Sequence, residues 1–230
     1  MLDHPIFSAS IALIRQELAA RGAADPGLKA QLQTHSPLER AVLERCIHSS
    51  GDLTLAPELR FAPAALASPG ADACSLGLAA LQAGAPILCD TAMAAAAVAP
   101  MARRTFGNRI ACLLDWGPAA APDGSTRSAA AVEPAWAALT AAAAPAPVVL
   151  IGSAPTALER LLDLVDAGAP APALLIGMPV GFIGVAESKR RLAASTLPQI
   201  RLEGPRGGAG LAAAACNALL RAARGGPDAG

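Results

Sequence analysis

Three histidines, His4, His35 and His48, are the side chains of this chain whose ordinary charge change falls near neutral pH. A search for a proton-transfer group therefore starts with them. His48 ends a helical stretch beside Ser49, Ser50 and Gly51, where an imidazole can face a pocket and serve as general acid or base. The same position suits a cation at the carbonyl end of a helix dipole, so spacing alone leaves both roles open. Arg45 lies three residues earlier, close to one helical turn, and can share a cavity with His48. Arginine outnumbers lysine 16 to 2, and its guanidinium is the better group for gripping carboxylates through two parallel hydrogen bonds. Arg127 opens a helical stretch, where a cation is unfavourable unless an anion is near; a surface role is the alternative. Arg206 precedes Gly207 and Gly208 and either reaches a carboxylate or sits in a turn those glycines make tight.

Three glycine turns can cradle an anion. The run Gly177-Met178-Pro179-Val180-Gly181-Phe182-Ile183-Gly184-Val185 joins an apolar strand to a charged helix start, Gly152-Ser153-Ala154-Pro155-Thr156 does the same earlier, and Arg206-Gly207-Gly208 follows later. Glycines admit close backbone approach, and the free N–H groups of the next helix point at whatever sits there. Ser153 and Thr156 can donate from the second turn, while Thr156 equally suits a helix cap. Glu187 is explained as a dipole complement and cap partner, with no catalytic role.

The elements that must position these groups follow from hydrophobic patterning. Five short apolar runs bounded by Gly or Pro read as strands: Pro86–Cys89, Arg109–Leu114, Pro147–Ile151, Ala173–Ile176 and Gln199–Leu202. Helical stretches fall at about 91–104, 128–143, 155–167, 185–195 and 207–223. This alternation predicts an α/β fold, a flavodoxin-like doubly wound parallel sheet of five strands, with ligands beyond the carboxyl ends of the strands. Ahead of it, Ile6–Arg21, Leu38–His48 and Ala71–Ala83 read as a helical extension. One domain over 1–224 is expected, with the extension at 1–83 and the α/β core at 84–224. Residues 115–126 read as a mobile loop and 225–230 as a disordered tail.

Composition narrows the function classes. At 230 residues the chain can bury a sizeable core. Acidic and basic residues balance at 18 each, which argues against a nucleic-acid surface or a polybasic membrane patch. Prolines 145, 147 and 155 interrupt the one long apolar region, so no membrane span is expected. Five dispersed cysteines without a Cys-x-x-Cys pair argue against zinc or a disulfide framework. Their odd number and the lack of a secretion signal point to the cytoplasm. No Walker run occurs, and no Gly-x-Gly-x-x-Gly follows the first strand, which disfavours a nucleotide enzyme.

Several segments, in order, resemble the precorrin-8X methylmutase family, the precorrin isomerases of cobalamin biosynthesis. They are Arg45-Cys46-Ile47-His48 with Gly51, Ile87-Leu88-Cys89-Asp90, Thr126-Arg127-Ser128-Ala129, Gly152-Ser153-Ala154-Pro155-Thr156, the 177–189 run, and Gly204 through Asn217. The resemblance covers most of the chain. It implies a methyl shift from C-11 to C-12 of the ring, turning precorrin-8X into hydrogenobyrinate, with His48 giving or taking a proton and no cofactor or metal. It implies Ser10, Arg45, Arg127, Ser128, Ser153, Thr156, Gly181 and Arg206 as contacts to the carboxylate-rimmed tetrapyrrole, and a homodimer with shared active sites. The sequence departs from the family at Ala92, Ala96 and Ala97, two standing where polar residues are usual and the third in place of a glycine. A diverged or non-catalytic tetrapyrrole-binding protein is the alternative those alanines leave open.

Overall fold

Apolar side chains on the strands alternate strictly, and this builds two cores rather than one. In the computed structural model, which describes residues 4–62, 72–141 and 145–225, six strands form one sheet: β1 (Leu59–Ala62), β2 (Ile87–Cys89), β3 (Ile110–Cys112), β4 (Val148–Ile151), β5 (Leu174–Gly177) and β6 (Gln199–Leu202). Ile87, Cys89, Val148, Leu150, Leu174, Ile176, Ile200 and Leu202 enter the core on one face. Leu88, Val149, Ile151 and Leu175 enter the core on the other, as the period of two requires. Burial on both faces is why these strands read as unbroken apolar runs.

The helices divide between the faces. On the first lie α1 (Pro5–Ala24), α2 (Pro26–Thr34), α3 (Pro37–Ser50), α4 (Ala73–Gln82), α5 (Ala92–Arg104) and α9 (Ala209–Gly225). The second carries α6 (Arg127–Thr140), α7 (Pro155–Asp166) and α8 (Val185–Ala194). The sheet order is β1-β6-β5-β4-β2-β3, with β2 to β6 parallel and β1 antiparallel to β6. Growth of the sheet reverses between β2 and β4. The helices that follow these two strands, α5 and α7, leave to opposite faces, the arrangement at which open α/β sheets place ligands beyond their strand ends.

The expected sheet of five strands is therefore one strand short. Leu59-Arg60-Phe61-Ala62 falls inside the extension expected to be mainly helical, between its helical stretches, and it becomes a strand by pairing with the edge of β6, Leu59 opposite Leu202 and Phe61 opposite Ile200. Four residues are too few to display alternation, so tertiary pairing rather than local pattern decides. The helix α2 was likewise not expected. It is started by Asp25, whose carboxylate accepts the Gly27 and Leu28 N–H groups, with Pro26 following. Past β3 the chain turns into a 3-10 helix at Leu113–Trp116, which shortens the strand expected over Arg109–Leu114. The anticipated tail lies outside the described residues from 226 onward, and Gly225 closes α9.

Candidate active site

His48 is positioned by helix ends. A capping box between Ser36 and Glu39, with Pro37 at the first helical position, starts α3. Gly51, at φ 69°, ends it in the left-handed conformation that a side chain would resist. On the last turns His48 Nδ1 meets the Ser10 hydroxyl of α1 at 2.8 Å. Among the described residues Nε2 has no hydrogen-bond partner. The Ser10 hydroxyl can donate or accept, so it supports either tautomer and leaves Nε2 as proton donor or acceptor accordingly. The Phe7 ring packs edge-on to the imidazole, centroids 5.0 Å apart. Burial, and then the Arg45 guanidinium, hold the His48 pKa below its usual 6.5, which favours the neutral ring.

Arg45 stacks over Phe7, its Cζ 5.2 Å from the ring centroid. Its buried Nε has no hydrogen-bond partner, and burial lowers its pKa. Arg221 of α9 stacks on the same ring at 4.2 Å. Ser10, Arg45 and His48 thus come together, joined by Phe7 and Arg221, which sequence reasoning did not single out.

The turn at Gly152 is built differently from the expected ligand cradle. Asp90, fully buried at the end of β2, places Oδ2 against the N–H groups of Gly152 (3.0 Å), Ser153 (2.6 Å) and Ala154 (3.0 Å). The protein's own carboxylate fills the nest, so these three donors are unavailable to a ligand's anionic group. Burial raises the Asp90 pKa against the pull of those N–H groups. The sequence segment Cys89-Asp90 was visible, but its partner, 62 residues on, was not. Ser153 keeps an exposed side chain. Thr156 provides no cap to α7; its hydroxyl meets that of Thr126 at 2.7 Å, and Thr126 in turn caps α6. Arg127 opens α6 with its Nε donating to the Pro118 carbonyl at 2.8 Å, and Ser128 follows, half-buried.

The last two turns interlock. Gly181 N–H donates to Pro205 O at 3.0 Å and Gly208 N–H to Met178 O at 2.9 Å. A Cβ on Gly207 would lie 2.1 Å from the Met178 carbonyl oxygen, so glycine is required there. Lys189, 1% exposed, donates from Nζ to the carbonyls of Gly204 and Arg206 at 2.7 and 2.6 Å, and burial lowers its pKa to about 8. The donors of Arg206 are taken up by Asp52, Glu58 and Thr54. These contacts strap the segment after α3 to the end of β6. The glycine turns do converge, mainly on each other. At their tip Phe182 and Ile183 are 92% and 89% exposed. Glu187 pairs with Arg190 rather than capping α8.

Ala92, Ala96 and Ala97 lie on the exposed side of α5, away from Ala94, Val98 and Ala102, which are buried. Among the described residues no group of three or more His, Cys, Asp or Glu side chains could hold a metal ion. No helix there is long and apolar enough to cross a membrane.

Comparisons with known proteins agree on one family. The profile of precorrin-8X methylmutase matches residues 5–222. A precorrin-8X methylmutase of Pseudomonas aeruginosa is 44% identical over 180 residues, covering 76% of this chain and 80% of the relative. A cobalt-precorrin-8 methylmutase of Synechocystis sp. is 36% identical over 225 residues, covering 95% of each. The crystal structure of a precorrin-8X methylmutase from Thermus thermophilus superposes with a TM-score of 0.67 at 38% identity, over 88% of this chain and 97% of that one.

Proposed function

The chain belongs to the precorrin-8X methylmutase family, the isomerases of cobalamin biosynthesis, and we propose that it moves a methyl group from C-11 to C-12 of precorrin-8X, or of its cobalt-containing counterpart, to give the hydrogenobyrinate ring system. The observation that carries the reading is the 2.8 Å contact between Ser10 and His48 beside Arg45. An isomerisation neither gains nor loses atoms. The protein's tasks are to hold the macrocycle in one geometry and to move a proton on and off it. His48 does the second: with Nδ1 held by Ser10, Nε2 is left for exchange. Neutrality of the empty-state imidazole, favoured by burial and by Arg45, leaves it able to take a proton near pH 7 and then return it. Arg45 meets one of the substrate's peripheral carboxylates through charge-assisted hydrogen bonds. Arg127, Ser128, Ser153 and Thr156 are the proposed contacts to the macrocycle near the carboxyl ends of β2 and β4. Gly181 shapes the loop above β5, and Arg206 fixes the turn beneath it.

A second subunit completes the site in this reading. The neighbouring exposed apolar residues Val180, Phe182 and Ile183 at the tip of one loop support it, since contiguous exposed apolar surface marks interaction sites. The alanines at 92, 96 and 97 lie on the exposed side of α5 and outside its buried face; Ala92 and Ala96 supply no polar side chain there, and Ala97 adds a methyl where the family has a glycine.

Mixing the protein with hydrogenobyrinic acid, desalting, and recording the visible spectrum tests the pocket. Coloured protein is expected from both wild type and His48→Ala. Colourless wild-type protein would reject the tetrapyrrole site.

A further inference from the structure

We propose that Asp90 is a positioning residue of the site, an internal anion that orders the glycine turns at the ends of β4, β5 and β6 and so sets the macrocycle contacts Ser153 and Gly181. The inference rests on the tetrapyrrole reading above and adds to it a residue that acts without touching the ligand. Asp90 is fully buried, and its Oδ2 accepts from three successive N–H groups, of Gly152, Ser153 and Ala154, at 3.0, 2.6 and 3.0 Å. No arginine or lysine among the described residues pairs with it. Its charge is balanced by these N–H dipoles and by the start of α7, which follows at Pro155. Hydrogen bonds to an ionised acceptor are roughly twice as strong as neutral ones, and three on one oxygen fix the backbone of the turn.

The turn held in this way carries the other two. Gly152 donates to Asp90, and its carbonyl accepts from the Val180 N–H at 3.2 Å; beside it the Met178 N–H donates to the Ile151 carbonyl at 2.8 Å. The 178–181 segment is tied onward to the third turn, by Gly208 N–H to Met178 O and by Gly181 N–H to Pro205 O. Gly152 also lies against the start of α9, since a Cβ there would stand 2.6 Å from the Ala209 nitrogen and Cα. An acceptor beneath the first turn is therefore felt at all three. Removing it leaves three N–H groups without their partner, and each such loss in a buried place is costly. Alanine at this position would leave a space lined by N–H donors, of the size and polarity that a small carboxylate fills. Asparagine would keep an acceptor oxygen and lose the charge.

The test measures Kd for hydrogenobyrinic acid by visible absorbance, together with the thermal midpoint, for wild type, Asp90→Ala and Asp90→Asn. Each protein is measured alone, with sodium formate, and with formamide as the neutral counterpart; the wild-type response to formate is the reference for ionic strength. Asp90→Ala is expected to raise Kd by about tenfold. Formate, and not formamide, should then raise its midpoint and return most of the lost affinity by entering the nest. Asp90→Asn should fall between the two and, its nest being filled, should not respond to formate. Wild-type affinity in a folded Asp90→Ala protein would overturn the positioning role, and a loss that formate does not recover would overturn the internal anion. If Asp90→Ala fails to fold, Asp90→Asn decides: an affinity equal to that of the wild type would show that no anion is needed. Failure of the wild type to bind would overturn the tetrapyrrole reading instead, and the midpoint response of Asp90→Ala to formate would still confirm or reject Asp90 as the anion of the turn.

Discussion

At the scale of single residues, two histidines are held in environments that resist protonation. His35, 7% exposed, has a buried Nδ1 without a partner; burial first, then Arg40 and Arg60, lower its pKa below 6.5. His48 is lowered by burial and by Arg45. Below pH 6.5 the unfolded chain takes up protons that the folded protein refuses, so stability is full above that value and declines as pH falls through the lowered folded values. Glu39 and Asp90, whose pKa values are raised mainly by burial, act in the opposite sense across the carboxylate range. Thermal midpoints measured from pH 7.5 to 5.5 should fall for the wild type, and fall less for His35→Gln. Parallel slopes for the two proteins would contradict the assignment. His48 and Arg45 were legible because one helical turn separates them. Phe7, Arg221 and the buried Asp90 were not, because each acquires meaning from a partner on a different element.

At the scale of elements, the turns at the strand ends are set by steric contact. A methyl at Gly207 would strike the Met178 carbonyl oxygen at 2.1 Å, and backbone rather than a flexible side chain would have to yield. Gly207→Ala is expected to lower unfolding free energy by roughly 2–4 kcal/mol through strain. Gly210, three residues on, is exposed in α9, with nothing within 4 Å of the added Cβ. Gly210→Ala should raise it by a few tenths to about 1 kcal/mol, from helix propensity alone. Urea unfolding of the pair checks both signs, and equal effects would refute the contact. Five strands and most helices could be read from apolar runs and Gly or Pro boundaries. The strand β1 could not, since its four residues owe their conformation to pairing with β6.

At the scale of the whole molecule, the proposed site draws its groups from both the sheet and the helical layer. α1, α3 and α9 carry Ser10, Arg45, His48 and Arg221, while the strand ends carry the turns at Asp90, Gly152 and Gly207. Arg206, bridging Asp52 and Glu58 to the end of β6, ties the two parts together. The sequence showed that the glycine turns would meet at one end of the sheet. It did not show that Asp90 would occupy one of them, because a buried carboxylate and an empty nest 62 residues apart leave no local pattern. Light scattering should return the mass of two chains if the exposed apolar groups on α1 and the 180–183 loop are covered by a second copy; a monomer at micromolar concentration would speak against a shared site. The most direct measurement follows the visible spectrum of precorrin-8X incubated with wild type and with His48→Ala. Conversion by the wild type, with no conversion by a folded, ligand-binding His48→Ala protein, is the expected result. Near-normal turnover by His48→Ala would contradict the proton-transfer role on which the proposed mechanism stands.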